Sequence, residues 1–440
     1  MFKGVADRPL MFRYYLETYG CSLNMADSDL MVGRLALIGG KRISEPDSAD
    51  ILIVNTCAVK EPTEDRVIYR VGELDGADIP LIITGCLPKI NLPRLLDAVP
   101  HHGAILGPQS VEKLGPVVKA VLSGERGIID LKPDKGSKLR FFQGPPHSVV
   151  CTIPICEGCL GACSYCAVRF ARESVRSYSI ETLGEVVKNA VSSGYKEIRL
   201  TAQDAATYGS DTGESLINLL SRLDEIPGDH RFRLGMFNCN LVLDSLDELL
   251  GVMNSQHFFR FFHMPVQSGS DAILHSMNRR YSVAEWVSAV RTIRRVLPSS
   301  TVATDIIVGH PGETKADFAA TMDLIRTVRP EVVNISKYGD RPGTPASESD
   351  VKVDTSVKKN RSRRLSKLVS TILSQKAKAW LGWVGPVLVT SLAPKGGLLA
   401  RTPSYRPVII DNDVPLGTTL PVQISSAERT YLVGEVSDLG

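Results

Sequence analysis

Short apolar runs alternate with stretches of helical periodicity along most of the chain. Runs at Tyr14–Thr18, Ile51–Asn55 and Leu81–Thr84 predict strands. The segments "ADSDLMVGRLALIGG" and "TEDRVIYRVGEL", which follow the first two runs, predict amphipathic helices. Strands and helices in alternation are typical of α/β architecture, so we expect an α/β domain over residues 10–125.

A second series of the same kind follows a segment rich in Lys, Arg, Pro and Gly. Residues 126–147 of that segment are expected to form a basic linker. A further α/β domain is expected over residues 148–378, with strands at "VVCTIPI", "EIRLTA", "FRLGMF", "FRFFHM", "VATDIIV" and "VVNIS" and a basic helix at its end. Over residues 379–440 the pattern changes to five short runs between Gly and Pro turns, which predicts a small all-β barrel.

Composition narrows the class of protein. At 440 residues, with 43% hydrophobic and 22% charged residues, the chain is typical of a multidomain globular protein. It has neither a secretory leader nor an apolar run of membrane-spanning length, so we expect a cytoplasmic protein with no membrane association. An odd number of cysteines, nine, argues against a disulfide framework and favours metal ligation or chemistry.

Three single cysteines share one position in the predicted topology. Cys21, Cys57 and Cys86 each come just after a predicted strand and before a predicted helix. The carboxyl ends of parallel strands share one sheet edge, where ligands bind, so the three side chains are expected to converge. They fit zinc or an iron–sulfur cluster, and the pattern does not distinguish the two. They also fit three unrelated buried thiols.

The stretch "ICEGCLGACSYC" holds the other candidate ligands. Cys159, Cys163 and Cys166 form a C-x3-C-x2-C array directly after a predicted strand. Structural zinc sites use four protein ligands, usually in CxxC pairs, and no such partner pair follows downstream. A 4Fe–4S cluster held by three thiolates keeps one iron without a protein ligand, which is what a reactive site needs.

This spacing resembles that of the radical S-adenosylmethionine (SAM) superfamily. Membership implies that the amino and carboxylate groups of S-adenosylmethionine chelate the open iron. An electron from the cluster then breaks a bond of the sulfonium and yields a deoxyadenosyl radical. The protein supplies orientation and exclusion of water.

The whole chain is similar to the methylthiotransferases of that superfamily. The matching motifs are "ETYGCSLNMADSD", "NTCAVKEPTED", "TGCLPK", "HMPVQSGSD", "TDIIVGHPGET" and "RPGTPA". The resemblance implies a flavodoxin-like first domain, a partial (β/α) radical SAM barrel and a TRAM-like last domain. It also implies a second 4Fe–4S cluster on Cys21, Cys57 and Cys86. Two equivalents of S-adenosylmethionine would be used, one as methyl donor and one as radical source.

Several polar residues are candidates for binding S-adenosylmethionine. Tyr165, inside the cysteine loop, would lie against the adenine, although packing of the loop alone also explains it. Gln203 with Asp204, and Gln267 with Ser268, follow predicted strands at the edge that faces the cluster. They suit the ribose and methionine ends of the cofactor, and each also fits a helix cap.

Two further motifs have both a functional and an ordinary interpretation. In "IIVGHPGET", the backbone from Ile307 to Gly309 would pass close to a planar ligand because Gly309 lacks a side chain. The same text also fits a plain turn. Arg341, in "RPGTPA", is a candidate for an anionic group on the substrate, or an arginine of a surface loop.

The substrate branch follows from the resemblance alone. Known branches modify isopentenyladenosine in tRNA, an aspartate of a ribosomal protein, or N6-threonylcarbamoyladenosine at tRNA position 37. The motifs "NTCAVKEPTED" and "FRLGMFN" look most like the archaeal and eukaryotic form of the threonylcarbamoyladenosine branch. One departure is Cys239-Asn240, where Asn-Pro is expected. A rival from another class is a non-catalytic iron–sulfur protein that binds RNA.

Charge gives partial support for tRNA as partner. Arginine and lysine crowd one helical stretch before the barrel, at Lys358, Lys359, Arg361, Arg363, Arg364 and Lys367. Such a patch attracts phosphates whatever the base sequence, although a solvated helix face looks the same. Of these residues Lys358, Arg361 and Arg364 are the candidate substrate contacts. The barrel itself is not basic. An electron donor and a sulfur donor are also implied, with no sign of their identity.

Overall fold

The computed structural model describes residues 11–437. Residue 10, where the first domain is predicted to begin, and residues 438–440 at the end of the predicted barrel lie outside the described residues. The chain divides into two compact units. The first comprises the described residues up to Gly144 together with Cys166–Ser174, and the second comprises Pro145–Tyr165 together with the residues from Val175 onward.

The first unit is built on a six-stranded parallel sheet in the order β2-β1-β3-β4-β5-β6. This is the doubly wound, flavodoxin-like order with one additional edge strand, so the predicted fold of this unit is confirmed. The strands are β1 (Phe12–Thr18), β2 (Gly40–Ile43), β3 (Ile51–Thr56), β4 (Leu81–Gly85), β5 (Ala104–Leu106) and β6 (Ile128–Asp130).

Two apolar clusters explain why the central strands of this sheet are hydrophobic throughout. Every residue of β3 and β4 is buried, as is typical of parallel strands covered on both faces. Ile51 and Ile53 join one cluster and Leu52 and Val54 join the other, as the two-residue period of a strand requires. The helices are α1 (Ser22–Ala36), α2 (Glu61–Asp75), α3 (Leu87–Ile90), α4 (Leu92–Ala98), α5 (Val111–Leu122) and α6 (Val168–Arg172).

The segment predicted as a linker is structured. It contributes edge strand β6 and a short 3-10 helix, Lys138–Phe141, to the first unit. Lys138 is buried and forms an ion pair with Asp27 of α1. Local composition did not predict this burial, because lysines are mostly exposed and the paired carboxylate is distant in sequence.

Asp27 compensates two buried cations. Its carboxylate pairs with the Lys138 ammonium and with the guanidinium of Arg172, which belongs to α6. The same guanidinium donates to Asn24 Oδ1 at 3.1 Å. Charges removed from water are tolerated when they are paired and hydrogen-bonded, so the Asp27 carboxylate stabilises both cations in the interior.

Replacing that carboxylate removes an ion pair from each of two buried cations. We expect Asp27→Ala to lower the free energy of unfolding of the first unit by about 3–5 kcal/mol. Native-state hydrogen exchange of the β3 amides measures this unit separately from the rest of the chain. Asp97→Ala, an exposed acid on α4, is the control and stays within about 0.5 kcal/mol. Equal protection in the two variants would contradict the role given to Asp27.

The second unit contains six parallel strands in chain order. They form two three-stranded sheets, β11-β10-β7 and β12-β13-β14, joined by a parallel bridge between Phe232 and Phe258. This is the expected partial (β/α) barrel, with every predicted strand present. Its strands are β7 (Val150–Pro154), β10 (Glu197–Thr201), β11 (Arg231–Leu234), β12 (Phe261–His263), β13 (Thr301–Val308) and β14 (Val332–Lys337).

Helices and one additional strand pair complete this part. The antiparallel pair β8 (Cys156–Glu157) and β9 (Arg176–Ser177) was not predicted. None of the helices in the described chain is long and apolar enough to cross a membrane. The helices are α7 (Ile180–Ser192), α8 (Leu216–Asp224), α9 (Leu246–Met253), α10 (Asp271–Ser276), α11 (Val283–Val296), α12 (Lys315–Val328) and α13 (Thr355–Lys378).

A closed five-stranded barrel follows α13, in the order β15-β16-β17-β19-β18. Its interior is filled by Val, Leu, Ile and Ala side chains, as expected for so small a barrel. It packs against the parallel strands, where Leu388 joins Phe259 and Phe261 in one cluster. The strands are β15 (Val384–Leu392), β16 (Leu398–Arg401), β17 (Pro407–Ile410), β18 (Thr419–Ala427) and β19 (Leu432–Val436).

Candidate functional site

The three single cysteines lie at one edge of the first sheet. Cys21 follows β1, Cys57 directly follows β3 and Cys86 directly follows β4. These strands are neighbours, and the last aligned pair of β3 and β4, Thr56 with Gly85, places Cys57 beside Cys86. The order of the sheet reverses between β1 and β3, and the edge at such a switch point is where ligands bind.

The sulfurs of Cys57 and Cys86 lie in a crowded, buried place beside one cation. A Cβ on Gly20, which has φ +111°, would lie 2.8 Å from Cys57 Sγ, so only glycine leaves room there. Burial, above all, raises the pKa of the Cys86 thiol to about 12; Arg172 opposes the rise, and Cys21 and Cys57 add to it. Three converging thiols beside one guanidinium fit thiolate ligands whose negative charge Arg172 partly offsets.

The loop that carries the other three cysteines is fastened by hydrogen bonds within the second unit. Ser164 donates its backbone N–H to the Met277 carbonyl at 3.1 Å and its hydroxyl to the Ser276 carbonyl at 2.8 Å. The side-chain amide of Asn278 donates to the Ala162 carbonyl at 2.8 Å. These bonds tie the loop to the end of α10, so a helix helps to set the position of Cys163, which lies between Ala162 and Ser164.

Two of the loop sulfurs accept hydrogen bonds. The Gly161 N–H donates to Cys159 Sγ at 3.2 Å, and Arg279 Nη1 donates to Cys163 Sγ at 3.4 Å. A Cβ on Gly161 would lie 3.2 Å from the first sulfur and 3.6 Å from the second, so both face the same space. Cys166 comes three residues later, just before α6. Donors to sulfur are features of iron–sulfur sites, where they tune the cluster.

The described residues offer no alternative site for a single metal ion. Within residues 11–437, no three or more His, Cys, Asp or Glu side chains are arranged to hold one ion. Thiolates of a 4Fe–4S cluster bind different irons and stand further apart than the ligands of one zinc ion. The chemistry of the donor set, three thiolates with no CxxC partner pair, fits a cluster better than a closed tetrahedral zinc site.

A buried polar chain connects the surroundings of the two loop sulfurs. Asp204 Oδ2 lies 4.0 Å from Cys159 Sγ and accepts from Asn238 Nδ2 at 2.6 Å. Asn238 Oδ1 accepts from Arg279, whose Nε donates to Tyr281 Oη at 2.9 Å. Burial raises the pKa of Asp204, and its hydrogen bonds from Asn238 oppose that rise. Arg279 is thus held in place on both sides of its contact with the sulfur.

The polar residues predicted to bind S-adenosylmethionine lie at strand ends in the second unit. Gln203 Oε1 accepts from the Gly158 N–H at 2.9 Å, so it supports the start of the cysteine loop. Gln267 has φ 71° and a buried Oε1 with no partner among the described residues. The Ser268 hydroxyl accepts from the N–H of Ser270, the residue that precedes α10, at 3.2 Å, so it orders the turn before that helix and does not cap it.

The glycine motif and the loop tyrosine have structural partners. Ile307 lies in β13 and Gly309 directly follows that strand. Gly309 has φ 76°, and a Cβ there would collide with the Lys358 side chain. Tyr165 meets His310 edge to face, with ring centres 6.5 Å apart. Gly309 therefore makes room for a side chain of the protein itself.

The predicted substrate-binding cations differ in their exposure. Arg364 is exposed on α13, and Lys358 is half-buried. Arg341 is buried. Arg361 is also buried, paired with buried Glu313, so its charge is compensated inside the protein. Burial argues against contact between Arg361 and an RNA phosphate and leaves the exposed cations of α13 for that role.

A pocket opens beside Cys163. Its volume is about 170 Å³. Except for Cys163 and Asp204, its lining was not predicted from the sequence, because the side chains come from three loops that meet only in the fold. The sequence "SMNRRYS" contains three of these lining residues, but it matches no motif spacing that would mark them as a binding site. The lining residues are Leu160, Gly161, Ala162, Cys163, Asp204, Asn238, Asn240, Leu241, Asn278, Arg279 and Arg280.

A methyl group placed between the two sulfurs tests whether that space holds a cluster. We expect Gly161→Ala to lower the iron and sulfide content of anaerobically reconstituted protein by up to about four irons per chain. Gly184→Ala is the control, because nothing lies within 4 Å of the added Cβ on α7. Equal iron content in the two variants would show that the space is not used.

Models of known families match three successive parts of the chain. Residues 13–107 match the uncharacterized protein family UPF0004, residues 153–325 the radical SAM superfamily and residues 381–437 the TRAM domain. Among solved structures, the radical S-adenosylmethionine methyltransferase TsrM from Kitasatospora setae superposes with a TM-score of 0.56 at 13% identity, covering 76% of this chain and 75% of that chain. The cobalamin-dependent radical enzyme OxsB gives 0.54 at 10% identity, covering 82% of this chain and 58% of that chain. These two structures share the fold.

Relatives that match nearly the whole chain have higher sequence identity than these two structures. A probable threonylcarbamoyladenosine tRNA methylthiotransferase of Pyrococcus abyssi is 39% identical over 97% of this chain and 100% of that protein. The threonylcarbamoyladenosine tRNA methylthiotransferase of Danio rerio is 33% identical over 97% of this chain and 78% of that protein. A tRNA-2-methylthio-N(6)-dimethylallyladenosine synthase of Pelotomaculum thermopropionicum is 32% identical over 97% of this chain and 98% of that protein. Since identities above 30% span nearly the whole chain, it belongs to the radical SAM tRNA methylthiotransferase family.

Proposed function

We propose that this chain replaces the hydrogen at C2 of N6-threonylcarbamoyladenosine, at tRNA position 37, with a methylthio group. The observation that carries the proposal is the cysteine loop, with donors aimed at two of its sulfurs and a pocket beside Cys163 that Arg279 and Arg280 help to line. The choice of branch is supported by the archaeal and vertebrate relatives, which carry that name at 32–39% identity.

Cys159, Cys163 and Cys166 would hold the catalytic 4Fe–4S cluster. When bound, the cluster and S-adenosylmethionine supply a radical able to remove hydrogen from an unreactive C–H bond. The chain's own residues would orient the cluster and the cofactor and shield them from water. The Gly161 N–H and the Arg279 guanidinium donate to thiolate sulfur, and Asn238 keeps that guanidinium in position.

The remaining contacts to S-adenosylmethionine are proposed from position and chemistry. Gln267 is the strongest candidate, because its buried amide oxygen has no partner among the described residues. Asp204 and Gln203 support the loop from the end of β10. The others, at the ends of β12 and β13 and within the loop, are Ser268, Ile307, Gly309 and Tyr165.

Cys21, Cys57 and Cys86 would hold a second 4Fe–4S cluster. Their convergence at the switch point of the first sheet supports this, as does the buried Arg172 beside Cys86. In this proposal one equivalent of S-adenosylmethionine provides the methyl group and another the radical. A sulfur donor and an electron donor are then required.

The tRNA would be held by exposed cations and by the last barrel. Residues 381–437 match the TRAM domain, and Arg364 is exposed on α13, directly before that barrel. Phosphate contacts of this kind position an RNA without reading its sequence. Arg341 remains a proposed contact for an anionic group. We place the reaction in the cytoplasm, where cysteines stay reduced and tRNA is modified.

Mass spectrometry of tRNA nucleosides and of ribosomal-protein peptides tests the activity and the branch. Expressed in a host that lacks its own tRNA methylthiotransferases, the chain is expected to yield 2-methylthio-N6-threonylcarbamoyladenosine. Cys163→Ala removes a cluster ligand and abolishes the product. Cys151→Ala, a buried thiol of β7 outside the loop, retains it. Only methylthiolated isopentenyladenosine, a modified ribosomal aspartate, or no product at all would overturn the assignment.

Iron counting tests the second cluster. Protein reconstituted anaerobically is expected to carry about eight irons per chain, and Cys57→Ala or Cys163→Ala about four, because each variant loses one cluster. Cys57→Ala with Cys163→Ala in one chain is expected to carry almost none. About four irons in the unaltered protein, all lost in Cys163→Ala, would restrict the chain to one cluster.

A further inference from the structure

Two consecutive arginines on one side of the pocket are used differently. The guanidinium of Arg279 donates to Cys163 Sγ, Asn238 and Tyr281, so its capacity is taken up by the protein. Arg280 lines the same pocket and is exposed. Within residues 11–437, its guanidinium forms neither a hydrogen bond nor an ion pair. The pocket thus contains one cation that is free to meet a ligand.

The other polar groups of the pocket do not neutralise Arg280. Asp204 is the one acid among the lining residues, and it is buried and bonded to Asn238. Asn240 and Asn278 add amide groups, which donate and accept but carry no charge. An uncompensated guanidinium among amides is suited to a ligand that combines a carboxylate with neutral hydrogen-bonding groups.

The threonylcarbamoyl group has this chemistry. It carries one carboxylate, one hydroxyl and a urea-like linkage, whereas an isopentenyl group carries no polar atom at all. An isopentenyl group here would displace water from the guanidinium and the amides without replacing those hydrogen bonds, which costs binding free energy. The pocket also adjoins Cys163, so a ligand in it would lie near the catalytic cluster.

We propose that Arg280 binds the carboxylate of the threonylcarbamoyl group and thereby selects threonylcarbamoyladenosine over unmodified or isopentenylated adenosine. The inference rests on the proposed function and adds a substrate-binding residue to it. Cys239-Asn240, which stands where Asn-Pro is expected, is part of the same region. Cys239 is buried, and Asn240 lines the pocket.

The affinities of three anticodon stem-loops distinguish the contribution of the carboxylate to binding from that of the rest of the RNA. One carries threonylcarbamoyladenosine, one its methyl ester and one unmodified adenosine. The reconstituted full-length protein, without S-adenosylmethionine, is expected to bind the free acid at least about ten-fold more tightly than the ester. Arg280→Ala loses this difference but binds the unmodified stem-loop as before. Arg280→Lys keeps part of it, because an ammonium lacks the bidentate fork.

Arg291→Ala is the matched control, an exposed arginine of α11 outside the pocket, and it is expected to behave as the unaltered protein does. An acid-to-ester ratio unchanged in Arg280→Ala would overturn the inference. Equal weakening for all three stem-loops would overturn it too, because Arg280 would then contact phosphates. So would a loss of S-adenosylmethionine affinity with RNA binding intact. Nucleoside analysis of the unaltered protein judges the proposed function separately.

Discussion

Three thiolates on one short loop can hold a 4Fe–4S cluster only if their sulfurs stay in place while no group of the chain reaches the fourth iron. Most of the contacts around the loop serve this constraint. Ser164 and Ala162 bond to the end of α10, and Arg279 bonds directly to Cys163 Sγ. Elements of the barrel thus fix the position of Cys163, and the pocket beside it stays open.

Buried cations recur around the cysteines and are handled in one of two ways. Arg172 is compensated by Asp27, and Arg361 by Glu313. The guanidinium of Arg279 instead donates its hydrogen bonds to uncharged oxygens and to sulfur. A guanidinium whose charge is not cancelled by a carboxylate favours anionic sulfur beside it. Arg172 combines the two roles, since it pairs with Asp27 and also lies beside Cys86.

Periodicity and motif spacing predicted much of this structure. Strands β1, β3 and β4 and the six strands of the partial barrel follow from apolar runs, and the cysteines at their ends follow from parallel topology. The edge strands β2 and β6 were missed because they are short and partly polar. Local sequence contains too few apolar positions there to show a period.

Features that depend on distant partners could not be predicted. Arg361 reads as part of a basic helix face, and only the fold brings buried Glu313 against it. Lys138 and Arg172 likewise meet Asp27 across more than a hundred residues of sequence. Asn238, Asn278 and Arg280 have no spacing that marks them, so the pocket became visible only once the loops were placed together.

The central claim is that the chain leaves one iron for S-adenosylmethionine. Electron–nuclear double resonance of the reduced protein, with S-adenosylmethionine labelled at its amino nitrogen, tests it most directly. The account predicts a hyperfine coupling between that nitrogen and the cluster on Cys159, Cys163 and Cys166. A reduced cluster that shows no coupling to the labelled nitrogen, with the cofactor bound, would contradict it.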